Sequence, residues 1–354
     1  MPLFTSAPHS LCILRLSAIG DVCHAIACVQ AIQRQWPTTK ITWVAGKLEA
    51  QLLQHIPGIE VIIFDKKQGW KAYWQLHSQL KERKFDALLH MQAALRASIA
   101  SLMIKAAIRL GFDKARAKDG QWLFTNCKIE SGKSVHVLDG FMAFAQKLGV
   151  TDLTVRWDLN IPLASEQKAT ALTDNKAIFI ICPAASKAYK NWTVEGYCAL
   201  ANHAIKQGFQ VLICGAPTAT EKALAKTIVD STHQQAKNLI GQTTLIELLA
   251  LIKQAAIVLA PDTGPTHMAT MVNTKVIGLY AHHNPKRTGP YMQLAHVVSV
   301  YEQLIAEQTD KTVKELPWRA RVKDENAMQQ IPIKAVITMF DNLCQKQEKI
   351  DVRK

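Results

Sequence analysis

The chain has 354 residues, of which 49% are hydrophobic and 20% are charged. This composition is typical of a folded protein with more than one core and excludes a disordered or fibrous chain. The two most apolar windows, residues 97–110 and 245–260, are interrupted by lysine or arginine, so no membrane span is expected. No basic residue precedes Arg15, which argues against a signal peptide and predicts a cytoplasmic protein.

Positive charge is concentrated in one part of the chain. The sequence has 42 basic and 28 acidic residues, a formal net charge of +14. Residues 61–135 contain 14 basic and 6 acidic residues, which gives +8 of that excess. Such a segment favours an anionic partner, which could be nucleic acid, an acidic membrane surface or an acidic substrate. The alternative, favoured for Lys81, Arg83 and Lys84, is a solvated basic face. Because the sequence contains no recognisable nucleic-acid reader or aromatic platform, nucleic acid is not expected.

The cysteine pattern argues against disulfides and zinc. None of the eight cysteines forms a Cys-x-x-Cys pair, and Cys12, Cys182 and Cys214 lie in apolar, strand-like runs. We therefore predict reduced core residues. A zinc site is not expected, for the same reason.

Strand-like and helix-like segments alternate through the first half of the chain. The predicted strands span residues 11–16, 41–45, 61–64 and 87–91. The predicted helices span residues 22–36, 70–83, 95–107 and 137–148. This alternation predicts a parallel sheet with helices on both faces. The remaining residues of this half, 109–158, are predicted to be a basic loop region apart from the last of these helices.

The alternation restarts after a polar segment, residues 162–176, which we interpret as the linker. The predicted strands are 177–182, 210–214, 238–240, 257–260 and 275–280. The predicted helices are 194–207, 220–230, 245–254 and 266–272, followed by a long C-terminal helix from about residue 333 to 348. The expected fold is therefore α/β, with two doubly wound Rossmann-like domains. A ligand cleft is expected between them, at the carboxyl ends of the strands.

The first candidate turn is Ser-Ala-Ile-Gly-Asp at residues 17–21. It lacks the spaced glycines of a dinucleotide site, so a nicotinamide or flavin cofactor is not indicated. Asp21 is either a general base or simply a cap of the helix predicted from Val22. His24, one turn further on, is the rival base.

Two further turns favour a phosphate ligand. Residues 183–192 form a small-residue loop in which Lys190 is preferred over Lys187, because Trp192 would anchor it; the alternative is a surface loop with solvated lysines. Residues 260–269 run from a strand into a helix, where unpaired amides and the helix dipole attract phosphate. The alternative there is an ordinary connection capped by Thr263. Since no acidic pair of the metal-binding kind accompanies these turns, we expect no required metal.

Four motifs together resemble the heptosyltransferases of glycosyltransferase family nine, which build the lipopolysaccharide core. They are Ser-Ala-Ile-Gly-Asp at 17–21, Lys-Asn-Trp at 190–192, Gly-Ala-Pro at 215–217 and Asp-Thr-Gly-Pro-Thr-His at 262–267. The resemblance runs from about Leu11 to Tyr291. It implies a GT-B fold with an acceptor domain at 1–165 and a nucleotide-sugar domain at 166–325. Residues 326–354 would be a C-terminal helix that packs back on the N-terminal domain.

The resemblance also implies the chemistry. The donor would be ADP-heptose, no cofactor would be needed, and heptose would pass with inversion to a Kdo or heptose of inner-core lipopolysaccharide at the cytoplasmic face of the inner membrane. Asp21 matches the catalytic base of the family. The matching donor positions are Ser186, Lys190, Glu221, Thr243, Asp262, Thr263, Gly264 and His267. The expected acceptor contacts are Ser17, Lys66, Lys67, Arg96 and Arg116, of which all but Ser17 lie in a basic segment from Lys66 to Lys133.

Two departures leave the sugar and acceptor open. After the last strand, family members often have Gly-Pro-Thr-Asp, whereas this chain has Ala-His-His-Asn-Pro at residues 281–285. The phosphate loop has Ala185-Ser186 where some members have paired threonines. The alternatives are a transferase for another nucleotide sugar and a non-catalytic nucleotide-binding protein, in which Asp21 would only cap its helix.

Overall fold

Two separate parallel sheets organise the chain. The computed structural model describes residues 1–132 and 134–351, so Lys133, the end of the basic segment, lies outside the described residues. The chain divides into units Met1–Asn160 and Ile161–Lys354, whereas the sequence analysis placed the boundary after residue 165. Within the described ranges, no helix combines the length and the apolar character that crossing a bilayer would take.

The first unit contains a six-stranded sheet in the order β3-β2-β1-β4-β5-β6. Its strands are β1 (Ser10–Leu14), β2 (Lys40–Ala45), β3 (Ile59–Ile63), β4 (Lys84–His90), β5 (Lys105–Gly111) and β6 (Cys127–Lys128). Its helices are α1 (Ile19–Gln35), α2 (Lys47–Leu53), α3 (Trp70–Leu80), α4 (Leu95–Ser101) and α5 (Val137–Leu148). Strand β1 is central and buried, with Leu11 paired to both Ile41 and Ala87. The strand order reverses beside β1, and ligands bind at such a point in open sheets.

Strand β5 was not predicted. The sequence analysis extended a helix to residue 107 and assigned loop beyond it, but α4 ends at Ser101 and residues 105–111 form a strand. Leu110 of this strand pairs with Leu89 of β4. A short apolar run of this length fits either state, and pairing with a neighbouring strand decides between them.

The second unit contains a six-stranded sheet in the order β12-β11-β10-β7-β8-β9. Its strands are β7 (Ile178–Ile181), β8 (Gln210–Ile213), β9 (Lys237–Asn238), β10 (Ile257–Pro261), β11 (Lys275–Tyr280) and β12 (Val297–Ser299). Its helices are α6 (Leu163–Ala171), α7 (Val194–Lys206), α8 (Ala219–Ser231), α9 (Leu245–Gln254), α10 (Gly264–Met271), α11 (Pro285–Thr288), α12 (Tyr301–Thr309) and α13 (Ile333–Asp351). Two doubly wound sheets confirm the predicted α/β class.

The described side chains of the C-terminal helix pack in the core of the second unit. Its expected packing on the N-terminal domain stays a prediction. Val336, Phe340 and Leu343 are buried there, and the ring of Phe340 lies 4.9 Å from that of Phe179. Residues at these spacings lie on one face of the helix, and this apolar face packs against α7 and the second sheet.

The segment interpreted as a linker also belongs to the second unit. Helix α6 packs on α9, and two ion pairs join the helices. They are Lys168 to Glu247 and Lys253 to Glu166, each at 2.9 Å. The polar composition of α6 therefore reflects a surface helix and not a connection between domains.

Candidate functional site

Asp21 lies in the first turn of α1, at the carboxyl end of the central strand of the first sheet. Helix α1 begins at Ile19 with Ala18 as its N-cap, so Asp21 is not the cap of this helix. Its carboxylate accepts a hydrogen bond from Nη2 of Arg15, and its side chain is 36% exposed. The carboxylate is thus held in one orientation while it remains open to solvent.

Arg15 connects Asp21 to the neighbouring strand. Its Nη1 donates to the carbonyl oxygen of Met91, directly after β4, at 2.7 Å. Burial lowers the pKa of the guanidinium, and the negative charges of Asp21 and Glu49 oppose that shift. Arg15 was not among the residues predicted from the sequence. The available signal was a single basic residue at the end of an apolar strand, directly before the candidate turn.

Ser17 is positioned by the same pair of strands. Gln92, which follows β4, accepts a hydrogen bond from the backbone nitrogen of Leu16 at 2.7 Å. Its Nε2 donates to the hydroxyl oxygen of Ser17 at 3.3 Å. Hydrogen bonds to Met91 and Gln92, the residues that follow β4, therefore hold the Asp21 turn before any ligand binds.

His24 does not share the surroundings of Asp21. Its side chain is buried, and its ring packs edge-on against His136 with centroids 5.4 Å apart. A general base must reach the proton that it removes. Burial therefore favours Asp21 over His24 as the candidate base.

The basic acceptor candidates differ in exposure. Lys66 and Lys67 lie in an exposed turn after β3, and Arg96 is exposed at the start of α4. Arg116 is buried, and its Nη1 lies 2.6 Å from Oδ2 of Asp113, a pair in which both side chains are at least nine-tenths buried. The structure does not support a direct acceptor contact for Arg116, because its buried guanidinium is ion-paired with Asp113.

In the second unit, three adjacent strands bring Lys190, Asp262 and His283 together. Lys190 follows β7, Asp262 follows β10 and His283 follows β11. Oδ2 of Asp262 lies 2.6 Å from Nδ1 of His283 and 3.4 Å from Nζ of Lys190. Nζ of Lys190 is 3.3 Å from the same ring nitrogen. Lys190 and Asp262 were predicted from the sequence, and His283 was not. His283 also follows a strand of the parallel sheet, so its position at the carboxyl edge could have been recognised.

Asp262 is an ionised carboxylate in a largely enclosed position. Burial alone would raise its pKa. The hydrogen bond from His283 and the charge of Lys190 outweigh burial and hold the pKa of Asp262 well below its usual range. Asp262 therefore carries a negative charge at neutral pH and holds the Lys190 side chain in place.

The rest of the Asp262 motif forms the start of α10. Thr263 is the N-cap, but its hydroxyl donates to the carbonyl oxygen of Pro261 at 3.1 Å and makes no capping bond. Gly264 is the first helical residue, and His267 is buried one turn further on. Because Thr263 does not cap the helix with its side chain, the alternative interpretation of this turn as a simple capped connection loses its main support.

The remaining donor candidates lie at or near the carboxyl edge of this sheet, Ser186 and Thr243 in loops and Glu221 in the first turn of α8. Ser186 is exposed after β7, and Thr243 is half-buried before α9. Oε2 of Glu221 accepts from the backbone nitrogen of Ala216 at 2.8 Å, so this carboxylate holds the loop after β8. Trp192 is buried and its Nε1 donates to the carbonyl oxygen of Ile331 at 3.0 Å, which confirms that it anchors the Lys190 loop.

No metal centre is evident in residues 1–132 and 134–351. None of their histidine, cysteine, aspartate and glutamate side chains forms a group of three or more that could hold an ion. All eight cysteines are free. Burial raises the pKa of Cys214 to about 12, so this thiol stays protonated at neutral pH.

Sequence comparison places the chain among known transferases. The profile of glycosyltransferase family 9 (heptosyltransferase) matches residues 73–318. The lipopolysaccharide core heptosyltransferase OpsX of Haemophilus influenzae is 48% identical over 97% of this chain and 99% of its own length. Lipopolysaccharide heptosyltransferase 1 of an Escherichia coli strain is 22% identical over 86% of this chain and 95% of its own.

Solved structures show the same fold. A family 9 glycosyltransferase from Veillonella parvula superposes with a TM-score of 0.77 at 19% identity, covering 98% of this chain and 99% of its own. The E. coli heptosyltransferase WaaC with ADP gives 0.74 at 18% identity, covering 94% and 99%. These structures confirm the GT-B fold class, and the sequence matches confirm the resemblance seen in the motifs. The chain belongs to glycosyltransferase family 9, the heptosyltransferase family.

Proposed function

We propose that the chain transfers a heptose from ADP-L-glycero-D-manno-heptose to the inner core of lipopolysaccharide, with inversion at the anomeric carbon. The observation that carries this proposal is the 48% identity to OpsX, which extends over nearly the full length of both proteins. The acceptor sugar is a Kdo or a heptose.

Asp21 is the proposed general base. It takes the proton from the acceptor hydroxyl as that oxygen attacks the anomeric carbon. Its 36% exposure leaves the carboxylate accessible, and the hydrogen bond from Arg15 fixes its direction. A positioned base of this kind typically contributes about 10²- to 10⁴-fold to the rate.

Lys190 and the first amides of α10 are the proposed partners of the donor diphosphate. As the bond to the sugar breaks, negative charge grows on the leaving ADP, and fixed positive groups stabilise it. Asp262 holds the ammonium of Lys190 through their ion pair, and Ser186, Thr243 and Glu221 complete the proposed donor pocket. Since Lys190 and helix amides supply this stabilisation, no cofactor or metal is required, and we expect EDTA to leave ADP affinity unchanged.

The acceptor is anionic and is anchored in a membrane. Lys66, Lys67 and Arg96 are the proposed contacts for its acidic groups, together with Ser17. The protein would work in the cytoplasm, bound peripherally to the inner membrane, and nucleic acid is not a proposed partner. Binding of the acceptor should then weaken as salt rises.

The test is a mass spectrum of the lipopolysaccharide core from a strain that lacks this protein. The proposal predicts a core that lacks one heptose and everything attached beyond it. The wild-type gene should restore the full core, and the gene for Asp21→Asn should not. An unchanged core in the deletion strain would contradict it.

A further inference from the structure

Helix α3 exposes two large aromatic side chains. Trp70 is 72% exposed and Trp74 is 73% exposed. They are four residues apart and therefore lie on the same side of the helix. The opposite side of α3 carries the buried residues Ala72, Leu76 and Leu80, which pack in the core of the first unit. The two indoles thus point away from that core.

Lysines accompany these tryptophans. Lys71 and Lys81 are exposed, and Lys81 returns to the Trp70 side because three helical turns take about 11 residues. Lys66 and Lys67 precede the helix, and the sequence contains no acidic residue from position 66 to position 81. Asp65 and Glu82 border this range. Asp65 accepts from the backbone nitrogen of Lys67 at 3.0 Å and so caps the turn before α3, whereas Glu82 directly follows Lys81.

This combination is specific to one kind of partner. Tryptophan side chains have an apolar body and a polar N–H group, and they concentrate at the boundary between lipid headgroups and acyl chains. Lysines near a membrane are attracted by anionic headgroups. A protein partner would fit less well, because protein interfaces are depleted in lysine.

We propose that the Trp70–Trp74 face of α3, with Lys71 and Lys81, docks on an anionic phospholipid bilayer. The inference rests on the proposed function in one respect, since a lipid-anchored acceptor requires the protein to reach a membrane. It goes further in assigning that contact to one helix face. The indoles enter the headgroup boundary, and the lysines contact lipid phosphates.

Sedimentation with vesicles tests the aromatic part. The purified full-length protein should pellet with phosphatidylglycerol–phosphatidylethanolamine vesicles, and Trp70→Ser/Trp74→Ser should bind more than about tenfold more weakly. Trp122→Ser is the matched control, because Trp122 is 70% exposed on another element of the same unit. An unchanged partition of the double variant, or an equal loss in the control, would overturn the proposal. Equal thermal unfolding temperatures of all three proteins would exclude a folding defect.

The charge part has its own test. Lys71→Gln should weaken binding about fivefold, which is the contribution of one basic residue at an anionic surface. Binding should fall at high salt and on phosphatidylcholine vesicles. Affinity that is equal for anionic and zwitterionic vesicles would contradict the role of the lysines.

A transfer assay separates this proposal from the proposed function. With a water-soluble acceptor whose acyl chains have been removed, Trp70→Ser/Trp74→Ser should transfer sugar at the wild-type rate. If the wild-type protein transfers no heptose in this assay, the proposed function fails while the vesicle result still stands on its own. If the variant loses activity on the soluble acceptor, the α3 face contacts the acceptor and not the bilayer.

Discussion

Replacing Lys190 by Met should weaken ADP binding about 30-fold. Nζ of Lys190 lies 3.4 Å from the Asp262 carboxylate and 3.3 Å from the His283 ring, and the side chain is 17% exposed. A hydrogen bond to a charged group contributes roughly 1.5–3 kcal/mol. Asp262 already balances part of the ammonium charge, so we take about 2 kcal/mol, and about 1.4 kcal/mol corresponds to tenfold in affinity.

The assay is calorimetric titration with ADP, and the same loop supplies the control. Lys187 is exposed, three residues before Lys190, so Lys187→Met removes an equal charge at a different place. We expect Lys187→Met to change affinity less than about threefold, because a solvated charge contributes little. Folding should survive in Lys190→Met, since Asp262 keeps its contact with His283 at 2.6 Å. Equal losses in the two variants, or none in Lys190→Met, would refute the assignment of Lys190 to the diphosphate.

Two further predictions concern stability in the first unit. Arg116→Met should lower the free energy of unfolding by about 3–5 kcal/mol, because it removes the counter-charge of the buried Asp113 carboxylate. Exposed Arg96→Met should change the free energy of unfolding by less than about 0.5 kcal/mol, and both variants are measured by urea denaturation. Burial lowers the pKa of His90 to about 3, so its ring stays neutral in the folded state while the unfolded chain gains a proton below about pH 6.5. The stability that depends on the neutral ring is therefore present above that pH and is lost as pH falls. His90→Gln should flatten this decline between about pH 6.5 and 4, where the slope is at most about 1.4 kcal/mol per pH unit, and the exposed control His9→Gln should not.

Local sequence patterns were sufficient for the turns that carry the candidate site. Asp21, Lys190 and Asp262 each follow a short apolar strand, Asp21 in the first sheet and Lys190 and Asp262 in the second. Positions after the strands of one parallel sheet meet at one edge of that sheet, which brings Lys190 and Asp262 together. The alternation of strands and helices likewise gave the fold class. These features depend on residues that are close in the chain, so they can be recognised without knowledge of tertiary contacts.

Contacts that depend on the three-dimensional arrangement of the chain were not predictable in the same way. His283 reaches Asp262 only because β11 lies beside β10, and the Arg15–Asp21 pair depends on the shape of the turn between them. Arg116 was predicted to contact the acceptor, because its pairing with buried Asp113 could not be seen in the sequence. Strand β5 was not predicted for the same reason, since its formation depends on pairing with β4.

The central claim is that Asp21 removes the proton from the acceptor during heptose transfer. The direct measurement is the rate of ADP release when the purified protein is incubated with ADP-heptose and the truncated core acceptor isolated from a strain that lacks this protein. Asp119→Asn is the control, because this carboxylate is 38% exposed and also ion-paired, close to the 36% of Asp21. We predict that Asp21→Asn binds ADP normally and lowers the turnover rate about 10²- to 10⁴-fold, whereas Asp119→Asn keeps wild-type turnover. Turnover near the wild-type rate in Asp21→Asn would contradict the account.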